Sequence, residues 1–180
     1  MLSIFVPSKT TNMKTILIGL LLVCCTFRPY AQTAWTDQSR ILPDQLRNLP
    51  TAIFMGHSPS PVYPALNLLA AYPGKYSWKH ETEAMAKMNL EVVAAGSYLW
   101  LGAKGWVANM KLDKSDFAKL FHCKNGRLKK NKTYTFVQNY RYGDQLSAGD
   151  ALWFVIAKDQ NGQHYKGIAL VETESKLTSN

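Results

Sequence analysis

Three observations in the sequence predict an α+β domain, with a largely antiparallel β-sheet in the C-terminal two-thirds and short helices mostly in the N-terminal half. From Gly96 onward apolar and polar residues alternate with the two-residue period of a half-buried strand. Asn161-Gly162, a strong hairpin-turn pair, joins two β-rich segments. In the N-terminal half, prolines at 43, 50, 59, 61, 64 and 73 cut the chain into pieces that hold only short helices. The 180 residues suit one domain of ordinary size, and a composition 47% apolar and 18% charged is globular. There is no internal repeat, which excludes solenoids and propellers. Three cysteines are too few for a disulfide-dense scaffold.

Each element has a local reason. Pro43 to Leu49 reads as a helix, since Pro43 suits its first position, Asp44 meets the positive dipole end and Pro50 stops it. Thr51–Met55 is a strand ending at Gly56, and His57 to Pro61 is a loop or an extended segment stiffened by its prolines. Pro64 opens a second helix through Tyr72, stopped by Pro73-Gly74. Glu81 to about Leu90 reads as the best helix, because Met85, Met88, Val92 and Ala95 recur at spacings of three and four and Glu83 can pair with Lys87. A strand from Met88, with Leu90, Val92 and Ala94 alternating, competes with it. Ser97–Leu101 and Trp106–Leu112 form a hairpin around Gly102–Gly105. Asp113 or Ser115 caps a short helix, Asp116–Phe121. Thr133–Tyr142 is a strand with Tyr134, Phe136, Tyr140 and Tyr142 on one face. Ala151–Ala157, apolar on both faces, suits a central strand, and Gln163–Val171 returns as its hairpin partner.

The N-terminus carries an address. Met13-Lys14 precedes the apolar run Ile16–Cys25, Arg28-Pro29 ends it, and Ala31 offers a small residue for cleavage before Gln32. The run is about half the ~20 residues that a membrane span needs. The division expected is therefore a signal peptide over 1–31, initiated at Met1 or Met13, a polar lead-in over 32–42, one domain over 43–172 and a frayed tail over 173–180. A lipoprotein anchor at Cys24 or Cys25 lacks the small residue wanted before the cysteine, since Val23 precedes Cys24. Once residues 1–31 are removed, Cys123 is the one cysteine left and has no disulfide partner within the chain. Periplasmic or extracellular localisation follows, with no transmembrane span after signal removal.

Candidate chemistry is incomplete at every motif. Gly56-His57-Ser58-Pro59-Ser60 is placed like a nucleophile elbow, but Ser60 stands where the motif needs glycine. Pro59 also removes the N–H that an oxyanion hole would use. Cys123 lies in a basic neighbourhood that favours a thiolate, but it follows the apolar Phe117, Leu120 and Phe121, so a buried structural thiol is the expectation. His122 beside it points about 100° away on a helix, so a distant histidine would have to serve as base. His80-Glu81 begins like a zinc-protease helix, yet Ala84 occupies the second histidine position, and no metal or other cofactor is expected. The catalytic candidates are thus Ser58, His57 and Cys123.

Lys124, Arg127, Lys129, Lys130 and Lys132 fall within nine positions free of acids and are the expected ligand-binding residues. Export argues against nucleic acid and for an anionic glycan, a lipid headgroup or an acidic protein surface. The tyrosine row, with Trp100, Trp106 and Trp153, is also compatible with a cleft for a sugar or apolar ligand. The function expected is a small exported, non-catalytic ligand- or partner-binding domain. The alternative is a cell-envelope hydrolase or thiol enzyme using Cys123 or Ser58 with a distant histidine.

Overall fold

The computed structural model describes residues 40–68 and 71–178. The expected signal peptide, Cys24, Cys25 and most of the lead-in lie outside the described residues. The elements in chain order are α1 (Asp44–Arg47), β1 (Ile53–Ser58), β2 (Pro64–Leu66), β3 (Tyr76–Trp78), β4 (Glu81–Ala86), β5 (Leu90–Trp100), β6 (Trp106–Leu112), α2 (Lys114–Leu120), β7 (Arg127–Leu128), β8 (Thr133–Phe136), β9 (Arg141–Gly143), β10 (Gly149–Lys158) and β11 (His164–Thr173).

All the strands pair antiparallel, in three sheets ordered β11-β10-β5-β6, β1-β4-β8 and β2-β3-β9, with β7 added to the start of β5. β10 is central, as its two apolar faces require. Trp153, Val155 and Ala157 face the main core with Ile53, Met55, Ala84, Phe117, Phe121 and Val171. Leu152, Phe154 and Ile156 face a second cluster with Leu46 of α1. The large sheet is thus covered by α1 on one face and by the β1-β4-β8 sheet and α2 on the other.

Local chemistry explains the joints. Asp159 Oδ1 accepts from the backbone N–H of Asn161 and Gln163, and Gly162 takes the positive φ of the β10–β11 turn. Asp113 and Asp116 cap α2 reciprocally, side chain to backbone in both directions. Buried Lys166 extends Nζ to the carbonyls of Leu46 (2.6 Å) and Arg47 (3.3 Å), satisfying the end of α1. β1 runs so close to β11 that a Cβ on Gly167 would meet Ile53 Cβ at 2.7 Å and its carbonyl oxygen at 2.8 Å.

Several expectations are corrected. The helix expected over Glu81–Leu90 is β4 and the start of β5; burial alternates along Glu81–Ala86, with Thr82, Ala84 and Ala86 inward. Both periods fit these residues, and pairing with β1 and β8 decides for the strand. The helix expected from Pro64 is the short strand β2, paired to β3. Among the described residues the longest helix is α2, in the C-terminal half, and strands already begin at Ile53. Thr133–Tyr142 is two strands in two sheets, broken at Val137–Tyr140. The strand expected to end at Gly56 runs on through His57 and Ser58, which take the extended form of the two open to them. β11 continues through Thr173, and Glu174 N donates to Val62 O at 2.8 Å, so the end of the domain is paired beyond Glu172. No helix among the described residues is long and apolar enough to cross a membrane.

Candidate functional site

A cleft of ≈ 330 Å³ opens where the ends of β5, β6, β10 and β11 meet the turn that leads into β9. Its walls include Leu99 and Trp100 of β5, Met110 of β6, Trp153 of β10, Val171 of β11 and Tyr140. Its polar groups are His80, Asn109, Asn139, Arg141, Asp150 and Thr173. Sheet register makes this convergence, since Ala151 of β10 pairs with Leu99 on one side and Val171 on the other. An apolar cavity with a few placed polar groups is the usual form of a small-molecule site.

Arg141 is the principal charge. It pairs in register with Trp78 of β3, and its guanidinium carbon lies 4.5 Å from the centre of the Trp78 ring. Nη1 donates to Thr173 Oγ1 at 2.7 Å, and Nη2 donates to Ser147 Oγ. Thr173 Oγ1 donates a hydrogen bond to Gly149 O at 2.8 Å, which leaves its lone pairs for the arginine. Burial pushes the guanidinium's pKa below its ordinary value, although arginine remains charged at any physiological pH. Asp150, in the same cleft, is ion-paired with Arg40, whose guanidinium lies 4.9 Å from the Trp100 ring centre.

His80 follows β3 and is 5% exposed, and no side chain among the described residues hydrogen-bonds its ring, whose polar neighbour is the Trp78 backbone. Burial pushes its pKa down to about 4, opposed in part by the Trp78 backbone, so the ring is neutral at pH 7. Beside it, at 5.6 Å between ring centres, His57 is held through Nδ1 to Thr82 Oγ1 at 2.9 Å. Burial first, and the His80 ring second, push His57 down to about 3. Asn139 Nδ2 donates to the same Thr82 oxygen at 2.6 Å, which ties the β9 turn to β4.

The residues expected from sequence sit elsewhere. Ser58 is exposed at the end of β1, and the His57 ring engages Thr82 instead. Cys123 is 0% exposed in the main core. Burial pushes its thiol pKa up, opposed by Lys132 and Tyr134, and a raised pKa keeps a thiol protonated. Among the described residues no hydrogen bond or ring contact joins a histidine to Ser58 or Cys123. The five cations Lys124, Arg127, Lys129, Lys130 and Lys132 are all exposed. They do not form one projecting loop. Arg127 lies in β7 opposite Glu91, Lys130 N donates to Asn89 Oδ1 at 2.9 Å, and Lys132 Nζ stands 5.1 Å over the Tyr134 ring. Lys124 and Arg127 border a shallow groove of ≈ 560 Å³ with Lys114 and Lys119 of α2, cations outside the sequence reading. Glu91 in that groove accepts from Lys114 Nζ at 2.8 Å; this bond and the surrounding cations hold its carboxyl below the ordinary value.

Of the aromatic residues expected to line a cleft, Trp100, Trp153 and Tyr140 do so. Tyr134 turns into the core, donating to Arg127 O at 3.2 Å. His80, Asn139, Arg141 and Asp150 were not expected in a ligand site. The one signal for Arg141 was a lone cation between the tyrosines of a β-rich stretch, and that signal also fits a solvent-facing strand residue.

No family model, curated protein or solved structure matches the chain.

Proposed function

We propose that this chain is an exported, non-catalytic domain, periplasmic or extracellular, that binds a small amphipathic ligand in the Trp100–Trp153–Tyr140 cleft. The observation that carries the reading is the convergence of these three aromatic side chains with His80, Asn139 and Arg141 around one open volume. Two features support binding over the alternative of a hydrolase or thiol enzyme. The Cys123 thiol is buried with its pKa raised, and the His57 ring is engaged by Thr82 and not by Ser58. Export rests on the Met13–Ala31 pattern of the sequence.

The test is a thermal-shift screen of small aromatic and sugar-like compounds on the parent protein and on Trp100→Ala. A compound that raises the melting temperature saturably in the parent should bind Trp100→Ala about tenfold more weakly, the loss of one well-packed aromatic contact. Equal binding to both proteins would move the site away from the cleft. N-terminal sequencing of the exported protein should begin near Gln32; an intact 14–31 segment on soluble cytoplasmic protein would refute export. Stoichiometric labelling of Ser58 by a fluorophosphonate would restore the hydrolase alternative.

A further inference from the structure

Arg141 is a half-buried cation whose hydrogen-bond acceptors are two hydroxyl groups, Thr173 and Ser147. No carboxylate among the described residues lies within ion-pair distance of it. A charge taken out of water is normally paired, because hydroxyl dipoles replace only part of its hydration. The one carboxylate in the cleft, Asp150, is already matched by Arg40, so the uncompensated charge belongs to Arg141. Exposed Lys79, 6.0 Å from the Tyr140 ring centre, adds to the positive field at the rim.

The second orphan group is His80. It stands two residues beyond the Trp78–Arg141 register pair and lines the same cleft, nearly fully buried, with no side-chain partner on either nitrogen. A neutral imidazole offers one donor and one acceptor, and an unmade bond at a buried site is costly. A guanidinium without a counter-ion and an imidazole without a side-chain partner, both lining one cleft with aromatic walls, describe the complement of a ligand.

We propose that the cleft recognises a small aromatic carboxylate, its anion on the remaining N–H donors of Arg141 and an adjacent hydroxyl group on His80. This rests on the binding reading above and names its ligand class. A monoanion fits because it neutralises one guanidinium, whereas a dianion such as a phosphate monoester would carry surplus charge past Asp150. The planar fork of arginine matches the two oxygens of a carboxylate. The volume equals that of about eleven waters at ~30 Å³ each, room for one ring with a short acidic side chain.

The experiment titrates 3-phenylpropionate, its uncharged amide 3-phenylpropanamide, and 2-hydroxy-3-phenylpropionate, following intrinsic tryptophan fluorescence at low salt. The acid should bind the parent about tenfold more tightly than the amide. In Arg141→Gln that preference should vanish through loss of acid affinity, with amide affinity unchanged. Arg141→Lys, which keeps the charge and loses the fork, should retain a reduced preference and guards against a folding defect in the first variant. The hydroxyl should add several-fold affinity in the parent and none in His80→Phe. Equal binding of acid and amide to the parent overturns the carboxylate assignment while leaving the cleft as a binding site. Absence of the hydroxyl gain removes His80 from the contact. No saturable response to any of the three at millimolar concentration overturns this inference, and the cleft reading stands or falls separately on the thermal-shift comparison of the parent with Trp100→Ala.

Discussion

At the scale of single residues, two histidines set how the protein meets acid. His57, partly buried, and His80, buried, are held as neutral rings, with pKa values of about 3 and about 4 against 6.5 in the unfolded chain. Between those limits the unfolded chain binds protons that the folded chain refuses, so stability is complete above about pH 6.5 and declines as the pH falls. For His80 the full decline is on the order of 3 kcal/mol, reached near pH 4. A series of melting temperatures from pH 7.5 to 4 should show this slope, and His80→Gln should flatten part of it. A parent protein whose melting temperature is level over that range would refute the burial of neutral rings. Cys123 belongs to the same scale: the apolar Phe117, Leu120 and Phe121 just before it in the chain already pointed to a buried structural thiol, and it lies in one core cluster with Phe117, Phe121 and Tyr134.

At the scale of elements, β1 packs in close contact against β11 at Gly167. Gly167→Ala would place a methyl group against the Ile53 side chain and carbonyl, and a backbone atom cannot swing aside as a flexible side chain can. We expect a loss of about 2 kcal/mol, the usual range for overpacking, measured by urea denaturation; a loss under about 0.5 kcal/mol would mean that the strands part freely. The elements that sequence reading recovered are those with local determinants. The β5–β6 and β10–β11 hairpins and α2 each carry their turn or cap residues beside them in the chain. Glu81–Ala86 was misread because Ala, Met and Glu favour helix, while the alternation that makes it β4 is rewarded only by β1 and β8 on either side. The break between β8 and β9 was hidden because the tyrosine alternation runs through it unaltered.

At the scale of the whole molecule, the charge distribution invites a separate test. The chain carries a formal net charge of +9, and the five cations of 124–132 are all exposed. Exposed like charges repel one another and draw counter-anions, with a screening length of about 8 Å at physiological ionic strength. Lys129, Lys130 and Lys132 changed together to Gln should elute from a heparin column at lower salt than the parent. Equal elution of the two proteins would leave the run as ordinary solvated surface. The run was legible because charge density along the chain needs no fold to be seen. Its companions in the groove, Lys114 and Lys119, were not, because α2 alone brings them there.

The division between sequence and structure follows the range of the forces involved. Turn pairs, helix caps, the apolar leader pattern and a strand apolar on both faces act over a few residues, and so the antiparallel character of the domain, the central place of β10 and the expectation of export were present in the chain itself. The cleft is different. Its members come from β5, β6, β10, β11, the segment after β3 and the turn before β9, and no spacing rule links His80 to Arg141 or Trp100 to Trp153. Only pairing of β3 with β9, and of β10 with both β5 and β11, brings an uncompensated guanidinium and a buried imidazole to one aromatic-walled cleft. Long-range strand register decides that arrangement, because the free energy fixing it comes from burial across the sheets and not from any local segment.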